Sequence, residues 1–152
     1  MFTPYAPCLN EALTLSKSVA SRHAHPAVGP TQLLLGLLNV VDGSARRMLA
    51  QVGITPALLQ PDLERLAPPT GSEPTSAVQP LSAEAENMLY IAQREANFWE
   101  SEKVETMHLL LALLRDENSP ISQLFTRHGV HYQFLFDMAA YDRVGLPGMT
   151  GR

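Results

Sequence analysis

The sequence predicts an all-α protein made of two tandem four-helix repeats with a pseudo-twofold relation. Three observations predict it. The block Leu33-Leu34-Leu35-Gly36-Leu37-Leu38 returns 76 residues later as Leu109-Leu110-Leu111-Ala112-Leu113-Leu114. The same ungapped offset lays Leu13 on Leu89, Ala20 on Ala96, Val28 on Val104, Gly53 on Gly129 and Leu59 on Leu135. Those shared residues are apolar or glycine, the types a fold specifies through packing and backbone shape, and an internal repeat of this kind decides the architecture. Finally, the apolar residues around these anchors follow helical spacing rather than strand alternation.

Each element follows in order. Leu9, Ala12, Leu13, Ser16, Val19 and Ala20 mark one face of a first helix, and Pro7 suits its first turn, where no N–H is missed. In the second copy Ala85, Met88, Leu89, Ala92, Ala96 and Trp99 repeat that face. Ser82 is the expected N-cap there, and Glu84 sits favourably against the helix dipole. The leucine blocks are second helices, too densely apolar for a surface and so expected at the centre. Gly36 and Ala112 within them suit a close helix crossing. Third helices begin at Ser44 and Ser119, with Pro120 at a first helical position. They end at Gly53 and Gly129, each able to take the left-handed C′ conformation. Fourth helices start near Thr55-Pro56 and His131, and Pro61 predicts a kink or two short pieces in the first of them. Repeat 1 is thus expected over residues 1–66 and repeat 2 over 81–141. A proline-rich linker over 67–80 joins them, and a glycine-containing flexible tail over 142–152 follows.

Composition narrows the function. The net charge of −4 argues against a nucleic-acid partner, whose phosphates are met by Lys and Arg. Residues 1–66 carry five Lys/Arg and four Asp/Glu, whereas residues 81–152 carry six and ten. Six of those acids, Glu84, Glu86, Glu95, Glu100, Glu102 and Glu105, fall in one stretch, read as a solvated helix face or else an acidic patch for a basic partner. No apolar run is long enough to span a membrane and no secretory signal is visible at the N-terminus. The single cysteine, Cys8, cannot form an internal disulfide, which fits a reducing cytoplasm.

Catalytic and metal-binding patterns are missing. The chain has no phosphate loop of the Gly-x-x-x-x-Gly-Lys-Ser/Thr type, no Gly-x-Ser-x-Gly elbow, no His-Glu-x-x-His helix and no Cys-x-x-Cys pair. His23 and His25, two apart, do not share a helix face. His108 precedes a leucine block and reads as a hydrogen-bonded structural histidine; His128 and His131 flank the Gly129 cap. Cys8 has neither a base nor an oxyanion site in view. Phe98 and Trp99 end a helix and read as core or inter-repeat packing. No enzyme, cofactor or metal site is therefore expected.

The paired blocks resemble the Clp N-terminal domain, the double repeat that precedes the ATPase rings of Clp/Hsp100 unfoldases. The family pattern runs Phe-Thr, then Gly-His, an aliphatic residue, Gly-Thr-Glu-His, Leu-Leu-Leu-Gly-Leu-Leu, and later Leu-Gly-Val/Ile. The first copy here offers Tyr5-Ala6, His25, Val28-Gly29-Pro30-Thr31-Gln32, the first leucine block and Val52-Gly53-Ile54. The second offers Leu81-Ser82, Val104-Glu105-Thr106-Met107-His108, the second block and His128-Gly129-Val130. The resemblance covers about residues 5–141.

It implies a binding module of the Clp protease and chaperone system that captures protein substrates or adaptors. The alternative is a free-standing accessory protein that docks on a Clp ATPase or peptidase ring. By family position the candidate protein-binding residues are Ala6, Thr31, Ser82 and Met107. Some family members use the glutamates and threonines at these four places to hold phosphorylated arginine. The glutamates are here Thr31 and Met107 and the threonines Ala6 and Ser82, so phosphoarginine binding is expected to be lost or much weakened, since a guanidinium needs a carboxylate. With no Walker motif in the chain, unfolding activity is not expected of it either. Sequence leaves open whether the chain is free-standing or one domain of a longer protein.

Overall fold

The computed structural model describes residues 3–68 and 79–144, with side chains through Tyr141. Among these residues the order is α1 (Pro7–Arg22), α2 (Pro30–Leu38), α3 (Ser44–Gln51), α4 (Pro56–Leu66), α5 (Ala83–Phe98), α6 (Thr106–Leu114), α7 (Pro120–Arg127) and α8 (Tyr132–Val144). The fold is all-α, four helices to a repeat. The expected linker is described only at its ends, because residues 69–78 lie outside the described residues, as do residues 145–152 of the expected tail. Helix α8 runs on to Val144, past the expected start of that tail.

The leucine blocks form the centre. Every residue of Leu33–Leu38 and Leu109–Leu114 is buried. Around them pack Leu9, Ala12 and Ala20 of α1, Ala85, Ala92 and Ala96 of α5, and Leu59, Leu63, Phe125 and Leu135. The alanines let helices approach, and Gly36 marks a close crossing of α1 and α2. A Cβ placed there would collide with the Ser16 hydroxyl and the backbone oxygen of Ala12, both on α1. Ser16 is buried in this crossing and its hydroxyl donates to the Ala12 carbonyl at 2.8 Å.

Helix ends repeat with the same period. Gly53 and Gly129 take φ +80° and +78° after α3 and α7. The amides one residue on, Ile54 and Val130, reach back to Leu49 and Phe125 at 2.9 and 3.0 Å, the Schellman closure that satisfies a terminal carbonyl. A second pair uses no glycine: Ala24 and Glu100, equivalent by the repeat, both take φ 56° after α1 and α5.

Two expectations change. Of the kink or two short pieces expected at Pro61, the two pieces are not seen: α4 is one element that contains Pro61. Pro61 has no N–H for the Ala57 carbonyl, and both residues are exposed, where such a carbonyl can be hydrated. Phe98 is not core: it is 68% exposed, whereas its neighbour Trp99 is buried against Phe136 at 4.8 Å between ring centres.

Sequence periodicity gave no sign of the joint that binds the repeats. Tyr5 pairs in parallel with Val104, and Val28 with Leu81. Four backbone bonds make the joint, in symmetric couples. Ala6 N donates to Val104 O (2.9 Å) as Ser82 N does to Val28 O (2.9 Å); Val104 N donates to Pro4 O (2.8 Å) as Val28 N does to Pro80 O (2.8 Å). The segment entering the first helix of each repeat thus lies along the segment entering the second helix of the other. Thr3 extends the first clasp: its N–H donates to Gln93 Oε1 (2.8 Å) and its hydroxyl to Asn97 Oδ1 (2.6 Å), both on α5.

Candidate functional site: two seams between the repeats

The clasps sort the four candidate residues into two places. Ala6 lies along the segment that leads to Met107, and Ser82 along the segment that leads to Thr31. A Cβ on Gly29 would sit 3.8 Å from the Ser82 hydroxyl. Each seam therefore joins one residue from either repeat.

At the first seam the polar groups are largely consumed by structure. Ser44, the first residue of α3, accepts from Met107 N at 3.1 Å, and Thr106, the first residue of α6, accepts from Ala45 N at 3.0 Å. The two hydroxyls are 3.3 Å apart. Beside them opens a cavity of about 380 Å³ lined by Ser44, Arg47, Met48, Trp99, Glu105 and Met107, among others. Met107 is half-buried and packs against the core. Ala6 is 3% exposed and is not among the residues lining this cavity. His108 is structural: its Nδ1 accepts from Glu105 N at 2.8 Å, and burial pushes its pKa down to about 4, so the ring is neutral. In the first repeat Gln32 does the same work, its Oε1 accepting from Gly29 N at 2.9 Å.

The second seam is built differently. By the repeat, Ser44 and Thr106 correspond to Pro120 and Pro30, which have no hydroxyl to exchange. A cavity of about 650 Å³ lies there, lined by Pro30, Thr31, Met88, Ile91, Ile121 and the charged Glu84, Arg115 and Asp116 among others. Thr31 is half-buried in its wall. The Ser82 hydroxyl is occupied, accepting from Ala85 N at 3.0 Å as the N-cap of α5. Glu84 and Glu105 give each groove a carboxylate, though not at the positions of Thr31 and Met107.

Other groups read from sequence fall outside the seams. Of the acidic stretch, Glu95 is buried at 3% exposure rather than solvated; its Oε2 accepts from Arg115 (2.9 Å) and from the Tyr132 hydroxyl (2.7 Å). Burial, then that bond, pushes the Tyr132 pKa well up. His25 is buried, its Nδ1 beside Gln32 Nε2 at 2.9 Å and its Nε2 beside the Pro68 carbonyl at 3.0 Å. Cys8 is half-buried against the core. Among the described residues no three His, Cys, Asp or Glu side chains converge as a metal site would need, and no helix is long and apolar enough to cross a membrane. Both cavities combine apolar walls with a few charged side chains, an arrangement that can hold a ligand's apolar group and orient it.

Fold and seams together define a pseudo-twofold double-repeat helical domain. The family model of the Clp repeat (R) N-terminal domain matches residues 4–128, and the chain belongs to that family. The chaperone protein ClpB of Mycobacterium tuberculosis is 33% identical over 125 residues, covering 82% of this chain and 15% of ClpB. The chain thus spans about 15% of the length of the curated relatives it matches. Among solved structures, the Hsp104 N-terminal domain from Candida albicans superposes with a TM-score of 0.71 at 17% identity, covering 98% of this chain and 94% of that one. The ClpV N-domain in complex with a VipB peptide gives 0.66 at 19% identity, covering 89% and 87%. These likenesses to solved structures show the fold.

Proposed function

We propose that the chain is a non-enzymatic, cytoplasmic protein-binding module of the Clp protease and chaperone system, capturing substrate or adaptor segments at its inter-repeat seams. One observation carries this reading. The seam holding Thr31 is an open groove of about 650 Å³ with Met88, Ile91 and Ile121 in its walls, on the fold that in ClpV is found with a VipB peptide. An apolar side chain of the bound segment would sit among those walls, and Glu84, Arg115 and Asp116 would set its register. Met107 at the other seam offers an adaptable thioether contact. Phosphoarginine is not the expected ligand, because Thr31 and Met107 bring no carboxylate to the family's positions.

The test is selection of displayed random peptides on the chain, then anisotropy titration of the enriched peptides. Thr31→Trp, which fills the larger groove, and Met107→Asp, which charges the smaller one, are the variants. A loss of about tenfold or more in affinity (1.4 kcal/mol) for either supports the seams as the binding surface. Enriched peptides that bind both variants as tightly as the unaltered chain would overturn it.

A further inference from the structure

Helix α5 carries a largely exposed face, which touches the core only at its end, where the Phe98 ring lies 5.4 Å from Trp99 and 5.8 Å from Phe136. Ala83, Glu86, Tyr90, Arg94 and Phe98 are all exposed along it, Tyr90 by 60% and Phe98 by 68%. Tyrosine, arginine and phenylalanine are the residues enriched where protein surfaces meet. The charges are ordered around Tyr90, with Glu86 four residues before it and Arg94 four after. At 1.5 Å per residue each lies about 6 Å along the axis from Tyr90, in opposite directions. Arg94 leans over the Tyr90 ring, 5.9 Å from its centre. Among the described residues neither Glu86 nor Arg94 takes part in an ion pair.

Such a face is complementary to itself. Set two α5 helices antiparallel across a twofold axis at Tyr90, and Glu86 meets the partner's Arg94 while Arg94 meets the partner's Glu86. Phe98 then covers the first turn of the partner's helix. A parallel pairing would oppose like charges at both places, which costs free energy. We propose that this face is a homodimer interface, an isologous contact between two copies of the chain with Tyr90 on the axis. A single helix pair buries little beside the roughly 1,600 Å² of a standard interface, so the association is weak and concentration-dependent. The inference stands apart from the binding role of the seams.

Sedimentation velocity tests it, over about 10 μM to 1 mM chain at low salt, the range where weak pairs report. The expected result is a monomer that shifts toward twice its mass as concentration rises. E86R and R94E should each abolish the shift, and the double variant E86R/R94E should restore it. An equimolar mixture of the two single variants should also associate, because every cross-pair is then attractive. All the altered side chains are exposed, so unchanged circular dichroism checks the fold. A chain that stays monomeric throughout overturns the proposal. So do single variants that associate like the original, or a double variant that fails to recover.

Discussion

Ser44 and Thr106 cap each other's helices across the two repeats. The Ser44 hydroxyl accepts from Met107 N on α6, and the Thr106 hydroxyl accepts from Ala45 N on α3. Thr106 is fully buried, and Gly43 leaves room for it: a Cβ there would stand 2.8 Å from its hydroxyl. Thr106→Val keeps the shape and removes the acceptor, leaving the Ala45 N–H unpaired. A cost of about 1–2 kcal/mol is expected in urea unfolding. Thr31→Val, at a half-buried groove position with no cap assigned to it, should change stability by less than about 0.5 kcal/mol.

Gly36 and Ala112 hold equivalent places but not equivalent space. At Gly36 the obstruction includes the Ala12 carbonyl, which is backbone and cannot rotate away. Gly36→Ala should destabilise by about 1–3 kcal/mol, although alanine is the better helix former. A stabilising result in thermal or chemical unfolding would mean the crossing of α1 and α2 is looser than described.

His108 should make stability depend on pH. Its pKa falls from 6.5 to about 4 on folding because burial disfavours the charged ring. The folded state therefore binds fewer protons than the unfolded state between those values. The contribution is intact above pH 6.5 and is lost as pH falls toward 4, about 3 kcal/mol at the limit. His108→Gln, borrowing the group Gln32 uses in the first repeat, should keep the bond from Glu105 N and flatten that part of the pH profile. A variant with the same acid sensitivity as the original would move the cause elsewhere.

Ala24 and Glu100 bear a left-handed backbone without being glycine. Ala24→Gly and Glu100→Gly relieve a strain of about 1–2 kcal/mol and give back part of it as unfolded-state entropy. Each should raise stability by up to about 1 kcal/mol, read as a shift of the denaturant midpoint. A lowered midpoint would show that the cost of glycine outweighs the relief.

Some of this was legible in the residues. Leucine blocks too apolar for any surface had to be central, and Gly53 and Gly129 had to close helices, because burial and positive φ are strong local demands. Trp99 read correctly as packing, but Phe98, one residue earlier and as apolar, faces solvent; composition does not say on which side of a helix end a ring falls. Glu95 hid in an acidic run because its partners, Arg115 and Tyr132, are 20 and 37 residues away. The seams were reachable only through family positions. Of the four residues so marked, Thr31 and Met107 line cavities, while Ala6 is sealed and the Ser82 hydroxyl is committed to a cap. The clasps carry no sequence signature at all, since a pairing one residue long has no period to read.

Those clasps make each repeat finish the other. Ala6 binds a segment almost a hundred residues further on, and Ser82 reaches back more than fifty. The arrangement is that of an exchanged dimer of single repeats written into one polypeptide. A chain ending at residue 68 would keep both of its clasping segments and lose both receivers, so its own best solution is to find a second such chain and swap arms with it. By that reasoning a half of this protein is half of a pair, and the duplication supplies both halves in one chain.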